Sequence, residues 1–145
     1  MRVIVYGDYV CPYCAKADVL LAELDIGRAF RHFPVASKHP RARVLACAAE
    51  AAACQGRFWE MHDSLFWDQG HLDDPHLWAR VRRLGLDLER FEADRRSAEV
   101  QERVTEHFQS GVRAGVMTTP TLCIGDELYP GVPSDELLTR LGRVV

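Results

Sequence analysis

The sequence has 145 residues, of which 48% are hydrophobic, and its formal net charge is −3. This length is sufficient for one domain with a hydrophobic core of its own. The small negative charge excludes a general electrostatic attraction to nucleic acid or to an anionic membrane surface.

The first elements of the chain predict a β-α-β unit. Residues 2–6 form a short apolar, β-branched run that is typical of a buried strand. Residues 12–24 have apolar side chains at helical spacing, and residues 29–33 predict a second strand after the turn at Gly27. Two strands joined by a helix imply parallel pairing with a right-handed crossover.

The run Cys11-Pro12-Tyr13-Cys14 lies where the first helix begins. Two cysteines three residues apart on a first helical turn face the same way, so their sulfur atoms can reach bonding distance. Pro12 suits the first helical position, which makes Cys11 the N-cap, where unpaired N–H groups and the helix dipole favour a thiolate. We therefore predict that Cys11 is a nucleophile with a lowered pKa and that Cys14 is the more buried, resolving thiol.

A zinc site is the main alternative for this pair of cysteines. A structural zinc site takes four ligands and commonly uses two such pairs, whereas Cys47, Cys54 and Cys123 each stand alone. Cys47 and Cys54 are predicted on one helix about 10 Å apart along its axis, too far to bridge, and are expected to be small buried residues. Cys123 is expected to be an inert strand residue, with a third redox thiol as the alternative. We predict no metal ligands.

The pattern is helical from residue 37 to residue 114. Ser37 is the predicted cap of a helix that Gly56 ends, and Ser97 caps the last helix of this segment. Between them the sequence predicts three helices, at residues 57–69, 75–84 and 86–95. Acidic residues lie between the arginines of residues 80–96, and such a mixture of charges is typical of a solvated helix face. Trp59, Trp67 and Trp78 are expected to be core residues.

Strand patterns return only near the end of the chain. Residues 121–124 and 127–129 flank the two-residue turn Gly125-Asp126, which predicts a hairpin. Ser134 is the predicted cap of a final helix. The order of elements therefore predicts an α/β fold in which a helical segment divides a sheet of four strands.

Several motifs carry a resemblance to a known family. With Cys11-Pro12-Tyr13-Cys14 at the first helix, Thr119-Pro120-Thr121 before the late hairpin resembles the thioredoxin fold, and the helical insert resembles its DsbA-like branch. Further motifs similar to short DsbA-family proteins occur in the expected order: Arg31-His32-Phe33-Pro34, His39-Pro40, Gln55-Gly56-Arg57-Phe58-Trp59 and Gly111-Val112-Arg113-Ala114-Gly115-Val116.

The resemblance implies a thioredoxin-like mixed four-stranded sheet with an all-helical insert. Residues 1–36 and 115–145 would form the core, and residues 37–114 the insert. It also implies a cis peptide bond before Pro120, which would leave the backbone of Thr119 free to pair with an extended substrate.

The function that the resemblance implies is that of a protein-disulfide oxidoreductase or isomerase. Cys11 would form mixed disulfides with protein thiols or with glutathione, and Pro12 and Tyr13 would tune the pair. The Cys11–Cys14 disulfide would need no metal or organic cofactor. The sequence leaves monomer and dimer open.

The sequence departs from the family pattern at two places. Many relatives have glycine before the Thr-Pro pair, where this chain has Met117-Thr118. Some relatives carry a buried acid six residues before the first cysteine, where this chain has Val5. Asp8 is the nearest preceding carboxylate and is expected to be surface-exposed.

The sequence is also compatible with two other functions. A glutathione-dependent transferase or isomerase on a related scaffold tends to lack the second cysteine, and a non-catalytic redox-sensing protein would bind one partner without turnover. Only four apolar residues lie between Arg2 and Gly7, fewer than a signal peptide requires, and no run is long enough to span a bilayer. We therefore expect a cytoplasmic protein without a membrane partner, acting as a reductase or isomerase.

Overall fold

The computed structural model describes residues 2–143; Met1, Val144 and Val145, which the predicted core ranges include, lie outside the described residues. No helix in the described part of the chain is long and apolar enough to cross a membrane. The elements in chain order are β1 (Arg2–Gly7), α1 (Pro12–Ala22), β2 (Gly27–His32), α2 (Ala42–Ala53), α3 (Phe58–Trp67), α4 (Asp74–Arg83), α5 (Leu88–Arg95), α6 (Ala98–Ala114), β3 (Thr121–Ile124), β4 (Glu127–Pro130) and α7 (Asp135–Arg143).

The four strands form one mixed sheet in the order β2-β1-β3-β4. β1 pairs with β2 in parallel and with β3 in antiparallel orientation, and β3 and β4 form the predicted hairpin. The thioredoxin-like fold class is thus confirmed. Because Tyr6 pairs with Thr121, the end of β1 and the start of β3 lie side by side at one edge of the sheet. This register places the chain after β1 beside the chain before β3.

Side-chain N-caps begin several helices of the insert, and Ser97 is the one among them that the sequence predicts. The side chains of Asp73, Asp87 and Ser97 accept hydrogen bonds from the N–H groups three residues later, as N-caps do. Gly115 ends α6 in the left-handed conformation, with φ of 96°, which glycine adopts without a Cβ penalty.

One hydrophobic core extends through the sheet, α1 and the inserted helices. Val3 and Val5 of β1 and Leu21 of α1 belong to the same buried cluster as residues of α2, α3, α4 and α5. In α2 the alanines at positions 48, 49, 51 and 52 let neighbouring helices approach closely, and α2 packs against α3, α5 and α6. α6 also packs against β2, so the insert is anchored on the sheet.

The start of α2 differs from the prediction. The helix begins at Ala42 rather than at a Ser37 cap, because residues 36–38 form a turn in which the N–H groups of Lys38 and His39 donate to Val35 O. Pro40 follows this turn and has no N–H to extend a helical pattern. The turn directs the His39 side chain back toward Asp8.

Several expectations about burial were wrong. Arg80 is buried in the predicted solvated face, because Ser64 Oγ and the carbonyl oxygens of His71 and Asp68 accept its N–H groups. Cys54 is exposed, since it caps the C-terminal end of α2. Trp67 is 77% exposed because it is the last residue of α3.

Candidate active site

Cys11 occupies the N-cap position of α1. Its backbone is extended, with φ of −78° and ψ of 118°, and Pro12 is the first helical residue. The Cys14 N–H donates to Cys11 Sγ at 3.4 Å, so the sulfur takes the place of the oxygen of an ordinary N-cap side chain. All five cysteines carry free thiols, so the structure describes the reduced form.

The surroundings of Cys11 favour its thiolate. The hydrogen bond from the Cys14 thiol is the largest influence and, together with the Cys14 and Tyr13 N–H groups, lowers the pKa of Cys11 to about 6 against the opposing effect of burial. A thiol with this pKa is mostly ionised at neutral pH. Cys11 is therefore suited to nucleophilic attack.

Cys14 has the opposite character. Donation of its proton to Cys11 and burial both raise the pKa of Cys14 far above its usual value. Its side chain lies one turn inside α1 and is 2% exposed. The two thiols thus form an asymmetric pair, with one ionised sulfur and one protonated sulfur.

The segment before β3 lies opposite this pair, as the strand register requires. The Thr119-Pro120 peptide bond is cis, and the Cys11 thiol group lies 3.7 Å from Thr119 O. Thr119 and Pro120, which the sequence places more than a hundred residues from Cys11, therefore lie beside it.

A groove of about 310 Å³ opens above Cys11. Two of its lining side chains are strongly exposed, Tyr13 at 67% and Met117 at 93%. The other lining residues come from α1, from the turn before α2 and from the segment before β3: Cys11, Pro12, Val35, Lys38, His39, Thr118 and Thr119. The groove thus offers apolar contacts and one lysine around the reactive sulfur.

Asp8 is buried, which corrects the expectation that it is exposed. Its Oδ1 accepts the N–H of Val10 at 2.9 Å, and its Oδ2 lies 2.9 Å from His39 Nδ1. These two partners provide hydrogen bonds to the carboxylate in the loop that leads to Cys11. Asp8 can therefore be buried away from solvent. Because His39 also borders the groove, the pair joins the insert to the active-site loop.

Gln69 makes a second connection of this kind. Its side-chain amide donates to Tyr9 O at 2.8 Å and to Cys11 O at 3.0 Å. A residue of the insert thus fixes the loop between β1 and α1. The sequence gives no local signal for either Gln69 or His39, because both contacts depend on how the insert packs.

A network of polar side chains lies beneath Cys14. Asp18 follows Cys14 by one turn of α1, and its Oδ1 accepts hydrogen bonds from His62 Nε2 at 2.7 Å and from Arg28 at 3.0 Å. His62 Nδ1 lies 2.8 Å from Tyr9 Oη. The motifs in the sequence indicate no role for Asp18, although its i,i+4 spacing from Cys14 places it on the same face of α1.

Among residues 2–143, one group brings three metal-compatible side chains together. Ligand atoms of Asp18, His62 and Asp63 lie within 4.8 Å of one another. Both nitrogens of His62 are already hydrogen-bonded, and Asp18 is paired with Arg28 as well. The group is therefore an internal hydrogen-bonded network rather than an open metal site.

The remaining cysteines lie apart from the Cys11 groove. Cys47 is buried in α2 among alanines, and burial raises its pKa. Cys123 is half-buried on β3, where its thiol donates to Gly125 O at 3.3 Å. Neither side chain lines the groove above Cys11.

Comparisons with known families and structures agree with this geometry. Residues 32–141 match the sequence model of the family described as "DSBA-like thioredoxin domain". A thioredoxin-like oxidoreductase from Silicibacter pomeroyi DSS-3 is 26% identical, with a TM-score of 0.86 over 97% of this chain and 83% of that chain. The thiol-disulfide exchange protein alpha-DsbA2 from Wolbachia pipientis shares the fold at 20% identity, with a TM-score of 0.84 over 99% of this chain and 81% of that chain.

Curated relatives with higher identity are much longer than this chain. The Na(+)/H(+) antiporter NhaA 1 of Salinispora arenicola is 41% identical over 96% of this chain, which covers 22% of that protein. The Na(+)/H(+) antiporter NhaA of Herminiimonas arsenicoxydans is 40% identical over 86% of this chain and 20% of that protein. The chain thus spans about a fifth of the length of the curated relatives it matches.

Proposed function

Because the chain belongs to the family of DSBA-like thioredoxin domains, we propose that it exchanges disulfides with thiol or disulfide substrates through Cys11 and Cys14. The observation that carries the proposal is the asymmetry of the two thiols, with the pKa of Cys11 lowered to about 6 and that of Cys14 strongly raised. The thiolate of Cys11, which borders the groove, attacks the substrate, and the protonated thiol of Cys14 then resolves the mixed disulfide.

In the reducing direction the reaction has two steps. The Cys11 thiolate attacks one sulfur of a substrate disulfide, so that a Cys11–substrate disulfide forms and the other substrate sulfur leaves as a thiolate. Cys14 then loses its proton and attacks Cys11 Sγ, which forms the Cys11–Cys14 bond and releases the second substrate sulfur. The protein dithiol loses two electrons and the substrate disulfide gains them. The oxidising direction reverses both steps.

The groove above Cys11 is the proposed binding site for the substrate. The exposed side chains of Tyr13 and Met117 supply apolar surface, and Thr119 offers backbone groups for an extended chain. Protein thiols or disulfides fit these features, with glutathione as an electron partner. We propose that the protein acts as a reductase or isomerase in the cytoplasm. The proposal rests on the dithiol of this chain rather than on ion transport, because the chain spans about a fifth of the antiporter relatives.

Reduction of insulin with dithiothreitol as the electron donor tests the proposal. The wild-type chain should accelerate precipitation of the insulin B chain, and Cys11→Ser should lower the rate to that of dithiothreitol alone. Cys14→Ser should accumulate mixed disulfides on Cys11, which intact-protein mass spectrometry detects. Cys47→Ser, a change at a buried thiol outside the groove, is the matched control and should retain the wild-type rate. Full activity of Cys11→Ser would contradict the proposal. A wild-type protein that binds insulin without turnover would instead indicate a redox-sensing protein.

A further inference from the structure

A cavity of about 520 Å³ lies where the start of α2 meets the end of α5 and the first residues of α6. Four of its lining residues are arginines: Arg41, Arg43, Arg95 and Arg96. The cavity shares no lining residue with the groove above Cys11, so the proposed disulfide exchange gives it no role.

Two carboxylates contact three of these arginines. Asp74, which also lines the cavity, pairs with Arg41 and Arg95. Glu92 pairs with Arg95 and with Arg96. The hydrogen bond from Arg41 is the largest influence on Asp74 and, with Arg95, lowers the pKa of its carboxyl group. Asp74 is therefore ionised at neutral pH, and its negative charge is offset by the two guanidinium groups beside it.

The fourth arginine, Arg43, has no carboxylate partner. Its Nη2 donates to Gln101 O at 2.9 Å and to Thr105 Oγ1 at 2.8 Å, and its Nε donates to Gln101 Oε1. These acceptors are neutral, so they leave the charge of Arg43 uncompensated. Four guanidinium groups thus face two carboxylates. A network of ion pairs that only joined the helices would not require this excess of positive charge.

Three of the guanidinium groups also retain unused hydrogen-bond donors. Arg41 and Arg43 make their hydrogen bonds through Nε and Nη2, and Arg96 makes its hydrogen bonds through Nη1. The remaining terminal nitrogen of each side chain has no acceptor among residues 2–143. Each such nitrogen carries two N–H groups, which a phosphate oxygen can accept.

The first turn of α2 adds backbone donors to the same cavity. Arg41 occupies the N-cap position, and its side chain makes no capping hydrogen bond. The N–H groups of Arg43 and Val44 have no acceptor within the described part of the chain, and both residues line the cavity. Unpaired N–H groups and the helix dipole both favour a negative charge at this position.

We propose that this cavity binds a small polyanion of the diphosphate class. A guanidinium group can hold a phosphate group through two parallel N–H···O hydrogen bonds. Three guanidinium groups with unused donors, together with the end of α2, therefore match two linked phosphate groups better than one. Ala36, Pro40 and Val44 give the cavity apolar walls, beside which charge interactions are stronger than in open water. The site is independent of the proposed disulfide exchange.

Isothermal titration calorimetry of the full chain with pyrophosphate tests the proposal. At about 0.1 M sodium chloride, pyrophosphate should bind with a dissociation constant below about 1 mM. Inorganic phosphate, titrated in the same buffer, should bind at least about tenfold more weakly because it engages fewer guanidinium groups. Equal affinities for the two anions would overturn the diphosphate class. The absence of pyrophosphate binding up to about 10 mM would overturn the site itself.

Two arginine variants locate the bound anion. Arg96→Gln and Arg43→Gln should each weaken pyrophosphate binding by about tenfold or more, since each removes a charged donor. Arg113→Gln, at an exposed position outside the cavity, is the charge-matched control and should bind within about 2-fold of wild type.

The Arg96 variant gives an answer even if Arg43→Gln does not fold. The Arg96 side chain is 62% exposed and contacts Glu92 of the preceding helical turn, so its replacement should leave the fold intact, which circular dichroism checks. Wild-type affinity in a folded Arg96→Gln, or an equal loss in Arg113→Gln, would show an adventitious ion only and would overturn the proposal. Neither result bears on the chemistry of Cys11 and Cys14.

Discussion

Cys11 and Cys14 carry the same side chain, and the fold gives them opposite acid strengths. Cys11 receives hydrogen bonds at the open end of α1, whereas Cys14 donates its own proton and lies inside the protein. The sequence predicts this difference because the N-cap position follows from the proline after Cys11. It does not predict how strongly the two thiols depend on each other.

That dependence gives a prediction for the acid strength of Cys11. Since the Cys14 thiol is the largest influence on the low pKa of Cys11, Cys14→Ala should raise the pKa of Cys11 from about 6 toward its usual value. Cys14→Ser keeps an O–H donor of similar size and should raise it less. The rate of alkylation by iodoacetamide as a function of pH measures the pKa in each variant. Equal midpoints for wild type and Cys14→Ala would contradict the assignment of this hydrogen bond.

At the scale of the elements, close packing fixes α6 on the sheet. A Cβ atom added at Gly111 would lie 2.7 Å from Phe33 Cδ1 and 3.1 Å from Tyr6 Cδ1. The Phe33 ring is buried and stacks on Phe108 with ring centroids 4.5 Å apart, so it has little room to move. Gly111 is therefore the position at which the insert approaches the core most closely among the described helical glycines.

This contact predicts opposite outcomes for two glycine substitutions. Gly111→Ala should lower the free energy of unfolding by about 1–2 kcal/mol, because the cost of overpacking exceeds the gain of about 1 kcal/mol in helix propensity. Gly142→Ala is the control, since its added Cβ would meet only Leu24 Cδ2 at 3.7 Å, and it should be neutral or slightly stabilising. Urea unfolding measures both. A stabilised Gly111→Ala would show that α6 packs less tightly than described.

The elements themselves follow from the sequence, and their contacts do not. Pro12 and Ser97 at helix starts, the Gly125-Asp126 turn and the apolar periods predict nearly all bounds within a few residues. The start of α2 is the exception, because backbone hydrogen bonds to Val35 O form a turn that local propensity does not reveal. Asp8 is buried rather than exposed for a related reason, because its partner His39 comes from a distant part of the chain. Gln69 and His62 reach the site only through the packing of the insert, which no local pattern encodes.

At the scale of the whole molecule, buried polar groups link stability to pH. His107 of α6 accepts the His32 N–H at 3.3 Å and stacks on the His32 ring. Burial, with a further contribution from the charge of His32, lowers the pKa of His107 from 6.5 to about 4. Between these two values the unfolded chain binds a proton at this residue that the folded chain does not bind. Stability therefore falls as the pH is lowered from about 6.5 to about 4.

The prediction is a loss of about 1 kcal/mol in the free energy of unfolding between pH 7 and pH 5, reduced from the full shift because the ring is partly exposed. His107→Gln should remove most of this pH dependence, since the variant has no imidazole to protonate. His71→Gln, at an exposed site, is the control and should retain the dependence. Urea unfolding at both pH values measures the difference, and an unchanged slope in His107→Gln would contradict the account.

The sheet and the insert together position the residues around Cys11 and Cys14. The register of β1 and β3 brings Thr119 beside Cys11, and the insert supplies His39, Gln69 and His62 around the loop and helix that carry the two thiols. The long helical segment thus does more than enlarge the core. It provides most of the polar contacts that surround the reactive pair.

Equilibration of the wild-type chain with glutathione redox buffers tests the central claim most directly. After acid quenching and alkylation of free thiols, peptide mass spectrometry identifies which cysteines are bonded at each buffer ratio. We predict one reversible two-electron transition in which Cys11 and Cys14 form a disulfide while Cys47, Cys54 and Cys123 remain free thiols. A transition that pairs other cysteines, or the absence of a Cys11–Cys14 disulfide at every ratio, would contradict it.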